Sequence, residues 1–376
     1  MTMPCINIIE NVSSRYGALD HFQKKLQEAF HRAGISSHSF NLQKQTEEEI
    51  SLAFQKNRPD YTIGFNVIIS GHAFQQSPDI PHIALLVDPL WQFPELFSAP
   101  NVIPAFVEKD SALLFGKESL YLPHAIEPKA LQSPLNDKRE FEVVLPASFI
   151  DSDKELRDWN RGFSKKTVET LCAIAEEVLT SEATLLKAFS KSYPAIQEEV
   201  DSKQIPTLML LSSLSTYIRG EDKKRLLAAL KNFDVHIFCS KEDGTKWKSI
   251  GKVHIHEAVP FPKLSTIYQK SKIVLQSSPQ MKHGFHERLF MALAYGASVL
   301  SMSNSFYNST FGINRANIAI TQYKDAPSKI QEILLNEEKR LKDVQAAREV
   351  IAKSHTWDNR VQELLDQLNK KTAGRF

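Results

Sequence analysis

Cysteine is scarce in this chain and placed for no framework. Cys5, Cys172 and Cys239 are odd in number, far apart and without CxxC spacing; neither a disulfide framework nor a zinc site is implied, and all three read as small core residues. No charge of one sign dominates, because 46 basic side chains stand against 44 acidic ones for a formal net charge of +2. No global field draws in nucleic acid or a membrane surface, so any anion is bound locally. No apolar run approaches a membrane span, and the opening MTMPCINIIENVSSRYG has neither a basic leader nor the apolar core of a signal peptide. A soluble, cytoplasmic protein is expected. No GxGxxG or Walker sequence follows a predicted strand, and SSRYGAL holds a single glycine, which gives little support to a dinucleotide oxidoreductase or a P-loop enzyme. Internal repeats and low-complexity tracts are lacking too.

What is present is an ordinary globular composition, 376 residues with 42% hydrophobic and 24% charged side chains, long enough for two domains. In the first third, INIIE reads as a strand and ALDHFQKKLQEAFHRAG as a helix with Leu19, Phe22, Leu26, Ala29 and Phe30 on one face and Gly34 as its stop. SHSFNL, YTIGFNVII, HIALLV and NVIPAFV follow as further strands. The succession argues for a mostly parallel sheet covered by helices on both faces. LPHAIEPKALQSPLNDKRE, with three prolines and a polar tail, reads as an interdomain connection. The expected division is therefore a first domain over 1–128 and a second over 141–355, opening on the strand FEVVLPASFI.

Residues 153–204 carry no strand signal and have Val168, Leu171, Ile174, Val178 and Leu179 at helical spacing, which predicts a helical insertion. It would cover a binding site or make a dimer, and its amphipathic pattern does not choose between them. Alternation then resumes: EDKKRLLAALKNF as helix, DVHIFCS and KVHIHEAV as strands, LSTIYQKS as helix, KIVLQSS as strand. The next stretch, HGFHERLFMALAYGASVLSM at 283–302, reads as a loop glycine, a helix with a charged first turn, a glycine stop and a strand. Ligands of parallel α/β sheets sit outside the carboxyl ends of the strands, where helix N-termini point their amides. A helix beginning near His286 offers such amides to a phosphate, Gly284 permits close approach, and Arg288 supplies a bidentate charge. The competing possibility is that Glu287 only favours the helix dipole and Arg288 is only solvated.

GFHERLFMALAYGASVLS resembles the signature segment of group 1 type glycosyltransferases, most closely the CgeB-like spore-maturation branch, whose pattern is roughly G-F-x-E-R-x-F-E-A-x-A-x-G-A. Gly284, Phe285, Glu287, Arg288, Phe290, Ala292, Ala294, Gly296 and Ala297 match it. YIRGEDKKRLLAALKNFDVHIFCS is similar to the family's arginine-led helix and following strand, and IPHIALLVDPLWQF and YLPHAIEP resemble its strand ending in aspartate and its proline-rich domain exit. The resemblance implies the GT-B architecture, two Rossmann-like domains facing across a cleft, with the donor held by the second and the acceptor by the first. It also implies that TWDNRVQELLDQL opens a final helix over 356–376 returning to the first domain. The implied activity transfers a sugar from a nucleotide-diphosphate sugar, a UDP sugar by expectation, to a glycan, lipid, protein or small-molecule acceptor. No metal or further cofactor is expected, since helix amides and basic side chains neutralise the diphosphate. A catalytically silent GT-B protein and a sugar-nucleotide epimerase are the alternatives.

The donor-site residues so implied are His283, Gly284, Phe285, His286, Glu287 and Arg288, with Arg219 reaching the diphosphate or only pairing with acids on its helix, and Pro260, Phe261 and Tyr268 around the base or, as aromatics in such a place more often are, in the core. Sugar transfer also needs acid or base groups. Asp88, which ends HIALLV, is a candidate base or acceptor anchor, although Asp before Pro89 is also a common turn residue. His72 in SGHAFQQ and His124 in the exit segment are the other two catalytic candidates. Two departures stand out. Met291 replaces the family's hydroxyl-binding glutamate, and His283 replaces the first acid of a pair of glutamates; Glu287, four residues before Met291, is expected to take over part of the hydroxyl contact. His254, His256 and Glu257 resemble a metal cluster only at first sight. Strand alternation puts the two histidines on one face and Glu257 on the other, with no further ligand nearby in sequence, so zinc is not expected.

Overall fold

The structure, a computed structural model, describes residues 3–10, 14–69, 79–116, 118–136, 138–312 and 317–373. It divides into two compact units. The N-terminal unit takes in residues 1–131, 260–262 and 351–376, and the C-terminal unit the remainder.

The N-terminal unit begins β1 (Ile6–Glu10), α1 (Ala18–Arg32), β2 (Ser39–Asn41), α2 (Glu47–Lys56), β3 (Tyr61–Phe65), β4 (His82–Leu86), β5 (Val102–Phe106), α3 (Lys109–Phe115) and β6 (Leu120–Tyr121). Its strands form one parallel sheet in the order β2-β1-β3-β4-β5-β6. Every residue of β4 is buried, the mark of a parallel strand covered on both faces. The apolar stripe of α1, Leu19, Phe22, Leu26, Ala29 and Phe30, is buried in full. α2 opens on a reciprocal cap between Thr46 and Glu49.

The C-terminal unit runs β7 (Phe141–Pro146), α4 (Ser152–Gly162), α5 (Lys165–Thr180), α6 (Leu185–Ser192), α7 (Gln197–Ser202), α8 (Thr207–Ala229), β8 (Val235–Cys239), α9 (Lys241–Lys248), β9 (Val253–Glu257), α10 (Leu264–Gln269), β10 (Ser271–Gln276), α11 (Glu287–Ala294), β11 (Ser298–Met302), α12 (Ser305–Phe311), β12 (Asn317–Ile320) and α13 (Ala326–Leu335). α14 (Glu337–Ser354) follows, and α15 (Trp357–Ala373) packs against α1. There Arg32 pairs with Asp358 at 2.5 Å, and the Trp357 ring lies 6.1 Å from both Phe22 and Phe65.

The second sheet is also parallel, in the order β12-β11-β10-β7-β8-β9. Val143, Leu145, Ile237, Ile273, Leu275 and Leu300 give it a core on one face, closed by Leu226, Leu227 and Trp247. The whole β7 to β8 connection is helical, from α4 through α8. Three sequence expectations change. α8 starts at Thr207 rather than near Glu221, α3 and α9 are helices that the pattern did not announce, and of the three cysteines Cys239 alone is buried. Cys172 borders the buried stripe of α5, and Cys5 stands ahead of β1, so both are half-buried. No described helix is long and apolar enough to cross a membrane.

Candidate functional site

In the second sheet β7 and β10 are neighbours, but the chain leaves β7 toward β8 and β9 and leaves β10 toward β11 and β12. That reversal is the switch point of the sheet, and parallel sheets bind ligands beyond the carboxyl ends of the strands at such a point. The loop after β10, residues 277–286, runs straight into α11.

Several buried groups fix this loop. The Asn304 amide donates to the carbonyls of Met281 at 2.9 Å and Gly284 at 3.0 Å while its oxygen caps α12 through the Tyr307 amide. Ser305 Oγ donates to Lys282 O at 3.1 Å, and Gln280 and Ser215 bond each other reciprocally. Lys282 Nζ donates to Val178 O at 2.6 Å and Ser181 O at 2.9 Å, capping the end of α5. Phe285 is wholly buried, its ring 4.1 Å from Phe290 and 4.4 Å from Phe306. It anchors the loop and offers a ligand no face.

Past this anchor the first turn of α11 carries the charge. Arg288 is half-buried, and its Nε is a buried donor with no partner among the described residues. An unmet guanidinium donor is costly in the free protein and favours an anion in its place. Tyr268, fully buried on α10, is pushed up to about 12 by burial and bonds the Arg288 side chain through its hydroxyl. Lys223 on α8 is 6% exposed, and burial together with the charge of Arg219 pulls its ammonium down to about 7, with Arg288 adding to the repulsion. Its neighbour Asp222 is raised by burial and takes a 2.6 Å hydrogen bond from Tyr323. Arg219 itself is exposed on the preceding turn. Arg219, Lys223 and Arg288 thus form a cationic group with one buried carboxylate beside it.

The first-turn amides need a correction. His286 Nδ1 lies 3.4 Å from the Arg288 amide and 2.6 Å from Glu287 Oε2. One ring nitrogen cannot accept from the first and donate to the second at once, and the shorter, charge-assisted contact wins. The Leu289 amide is taken by His286 O at 3.0 Å. What this turn leaves to a ligand is therefore the Arg288 amide and side chain rather than a full turn of free amides. His283 is half-buried in the loop, and Met291 is 4% exposed on the buried body of α11.

The other end of α11 is neutralised by protein. Gly296, at φ +88°, closes a Schellman turn with Ala297 N bonded to Ala292 O and Gly296 N to Leu293 O. Arg139 donates to Tyr295 O, Arg340 to Gly296 O, and Arg348 to Leu293 O and Ala294 O. Three guanidinium groups thus sit at the negative end of the helix.

The remaining sequence candidates lie in the N-terminal unit. Phe261, between Pro260 and Pro262, donates its amide to Tyr16 O at 2.7 Å and packs edge-on against Phe22 at 5.2 Å, so it serves as core there. His124 is 4% exposed, 5.7 Å from the Phe22 ring. Asp88 is exposed beyond β4 and accepts from Asn66 Nδ2 at 2.7 Å, with Asn66 held at φ 53°. His72 lies outside the described residues. Sequence reasoning missed Lys223, although it stands in the arginine-led segment YIRGEDKK, and it missed Asn304, Tyr307 and Tyr323, which stand in no recognised motif.

Comparison with known proteins bears on this geometry. Residues 219–366 match the family model described as glycosyl transferase-like, a span that opens on Arg219 and contains the whole 283–302 stretch. No curated protein sequence matches the chain. Among solved structures it is similar to AviGT4, a glycosyltransferase involved in avilamycin A biosynthesis, with 9% identity, 99% of each chain covered and a TM-score of 0.57. The fold is GT-B. An α-glucosyltransferase in complex with UDP-glucose and DNA containing an abasic site matches at 10% identity, over 97% of this chain and 99% of that one, with a TM-score of 0.57. Sucrose-phosphate synthase from Thermosynechococcus elongatus matches at 11% identity, over 99% and 100%, with a TM-score of 0.56.

Proposed function

We propose that the protein is a glycosyltransferase that takes a sugar from a nucleotide-diphosphate sugar, with UDP as the nucleotide, and passes it to an acceptor without a metal ion. The observation that carries this reading is the buried, unpartnered Nε of Arg288 at the start of α11, beside Lys223 and at the sheet's reversal point. Breaking the bond between sugar and diphosphate leaves negative charge on the diphosphate, and fixed cations in a desolvated site stabilise that charge as it develops. Arg288 and Lys223 supply it, with Arg219 at the exposed margin. The motif residues of 284–297 favour the CgeB-like branch within the fold. The solved relative bound to UDP-glucose supports UDP as the nucleotide.

The test is release of UDP from a panel of UDP sugars, with and without a chelator. Turnover that survives the chelator is expected, and Arg288→Ala should weaken UDP binding by about 1–3 kcal/mol through loss of a charge-assisted hydrogen bond. UDP binding without any turnover would leave a binding protein, and unchanged UDP affinity in a folded Arg288→Ala variant would remove Arg288 from the site.

A further inference from the structure

The helix α5 lies in the connection between β7 and β8 and supplies no side chain to the anion site, yet two side chains of the loop after β10 reach into this connection. Lys282 is 8% exposed, and its ammonium donates to Val178 O and Ser181 O at the end of α5, 104 and 101 residues earlier in the chain. Burial holds that ammonium below the ordinary lysine range, with Glu182 and Asp222 acting the other way. α5 has no basic residue in its own last turn. An exposed lysine there would cap the helix without the cost of burying an ammonium, so capping alone does not account for Lys282. Gln280 accepts from Ser215 Oγ at 3.0 Å and donates to Ser215 O at 3.1 Å. Ser215 is 3% exposed on α8, and Ser215, Arg219 and Lys223 follow at four-residue intervals along one side of that helix. Fixing Gln280 to Ser215 therefore fixes the loop against the helix that carries the opposing cations.

We propose that Lys282 and Gln280 are positioning residues for Arg288, and that through them the helical connection sets the affinity of the donor site. The inference rests on the diphosphate site of the proposed function. Residues 277–286 form no helix or strand, so no ladder of their own fixes their backbone. From one side Asn304 and Ser305 hold the carbonyls of Met281, Gly284 and Lys282. From the other, Lys282 and Gln280 hold the loop to α5 and α8. The chain thus enters α11 at a set place, and a diphosphate meets the Arg288 guanidinium already in position, with no loop to order on binding. Lys282 Nζ is taken up by two carbonyls and Gln280 by Ser215, so both act through Arg288 rather than on the ligand. Cutting either tether adds the ordering of the loop to the cost of binding and loosens the separation of Arg288 from Lys223.

The experiment measures UDP affinity by calorimetry in the full-length protein, well below the thermal midpoint of each variant, where lost stability alone does not lower the binding-competent fraction. Lys282→Met removes the ammonium, and Gln280→Leu, at a half-buried position, removes both bonds to Ser215 without burying a charge. Each should weaken UDP binding by about twofold to thirtyfold, the range for residues that act through a packed network. In an Arg288→Ala background the same two substitutions should cost little more, because their effect runs through Arg288. Unchanged affinity in either folded variant, while Arg288→Ala loses affinity, overturns the tether and leaves the diphosphate site standing. A loss that adds in full to that of Arg288→Ala does the same. Wild-type protein that binds no UDP, or Arg288→Ala that binds it as tightly as the wild type, overturns the diphosphate site and the tether with it.

Discussion

Under the proposed function Arg288 and Lys223 serve the same diphosphate but differ in how they hold their charge. A guanidinium stays protonated throughout the accessible range, whereas burial has brought Lys223 down to about 7 from an ordinary 10.5. A bound diphosphate favours the ammonium and raises its pKa, so above about pH 7 the protein takes up a proton as UDP binds. UDP affinity should fall as pH rises from 7 toward 9, and binding heats at pH 8 should depend on the buffer's own ionisation heat. Lys223→Met should flatten both dependences; a wild-type affinity constant over that range would remove Lys223 from the diphosphate. Met291 poses the reverse case. At 4% exposure it belongs to the packed body of α11, and Glu287, expected to replace the missing acid, is already held by His286 at 2.6 Å. A Met291→Glu carboxylate would be buried without a partner until ribose or sugar hydroxyls arrive, costing about 1–3 kcal/mol in the free protein. Its thermal midpoint should drop, and UDP sugar should raise that midpoint more than in the wild type. An equal ligand-induced rise in the two proteins would show that position 291 does not face the hydroxyls.

At the scale of elements, α11 is a helix whose two ends have been treated differently. Arg139, Arg340 and Arg348 satisfy its C-terminal carbonyls, while its N-terminal turn keeps an unmet donor. α8 delivers the opposing cations, and it does so by passing very close to the connection after β7. A Cβ on Gly220 would stand 2.8 Å from Ile150 O and from the Ser152 Cβ. Alanine gains about 1 kcal/mol over glycine in a helix interior, but here it must push α8 away from a backbone carbonyl, at about 1–3 kcal/mol for overpacking. Gly220→Ala should therefore lose stability on balance, and because Arg219 and Lys223 move with the helix, UDP affinity should fall as well. Denaturant unfolding and calorimetry measure the two effects; a variant stabilised by the better helix former would show that the approach is loose.

Across the whole molecule, what the sequence makes legible is what depends on local periodicity. The βα alternation, the apolar stripe of α1 and the strand-loop-helix-strand order around 276–302 all follow from spacing and stop residues, and the structure has them. The start of α8 is illegible for a physical reason. TLMLLSSLSTYIRG buries Leu210, Leu211, Leu214 and Ile218 on one face but also carries Leu208 and the exposed Met209 off it, which blurs the stripe. Lys223 looks like any surface lysine in EDKKRLLAAL until tertiary packing buries it, and Phe261 looks like a base contact until its ring is found on Phe22. Under the proposed function the two units also separate two jobs. Asp88 stands exposed beyond the carboxyl end of β4, held by Asn66, in the N-terminal unit, whereas Arg288 and Lys223 belong to the C-terminal one. If Asp88 serves the acceptor, Asp88→Asn removes a charge that binds or deprotonates an acceptor hydroxyl and leaves the diphosphate contacts intact. Transfer should then fall by about 10²–10⁴-fold for a lost general base, while UDP affinity stays within error of the wild type and hydrolysis of the UDP sugar falls less than transfer. Loss of UDP binding in parallel with transfer, or no loss of either, would return Asp88 to the role of a turn residue before Pro89.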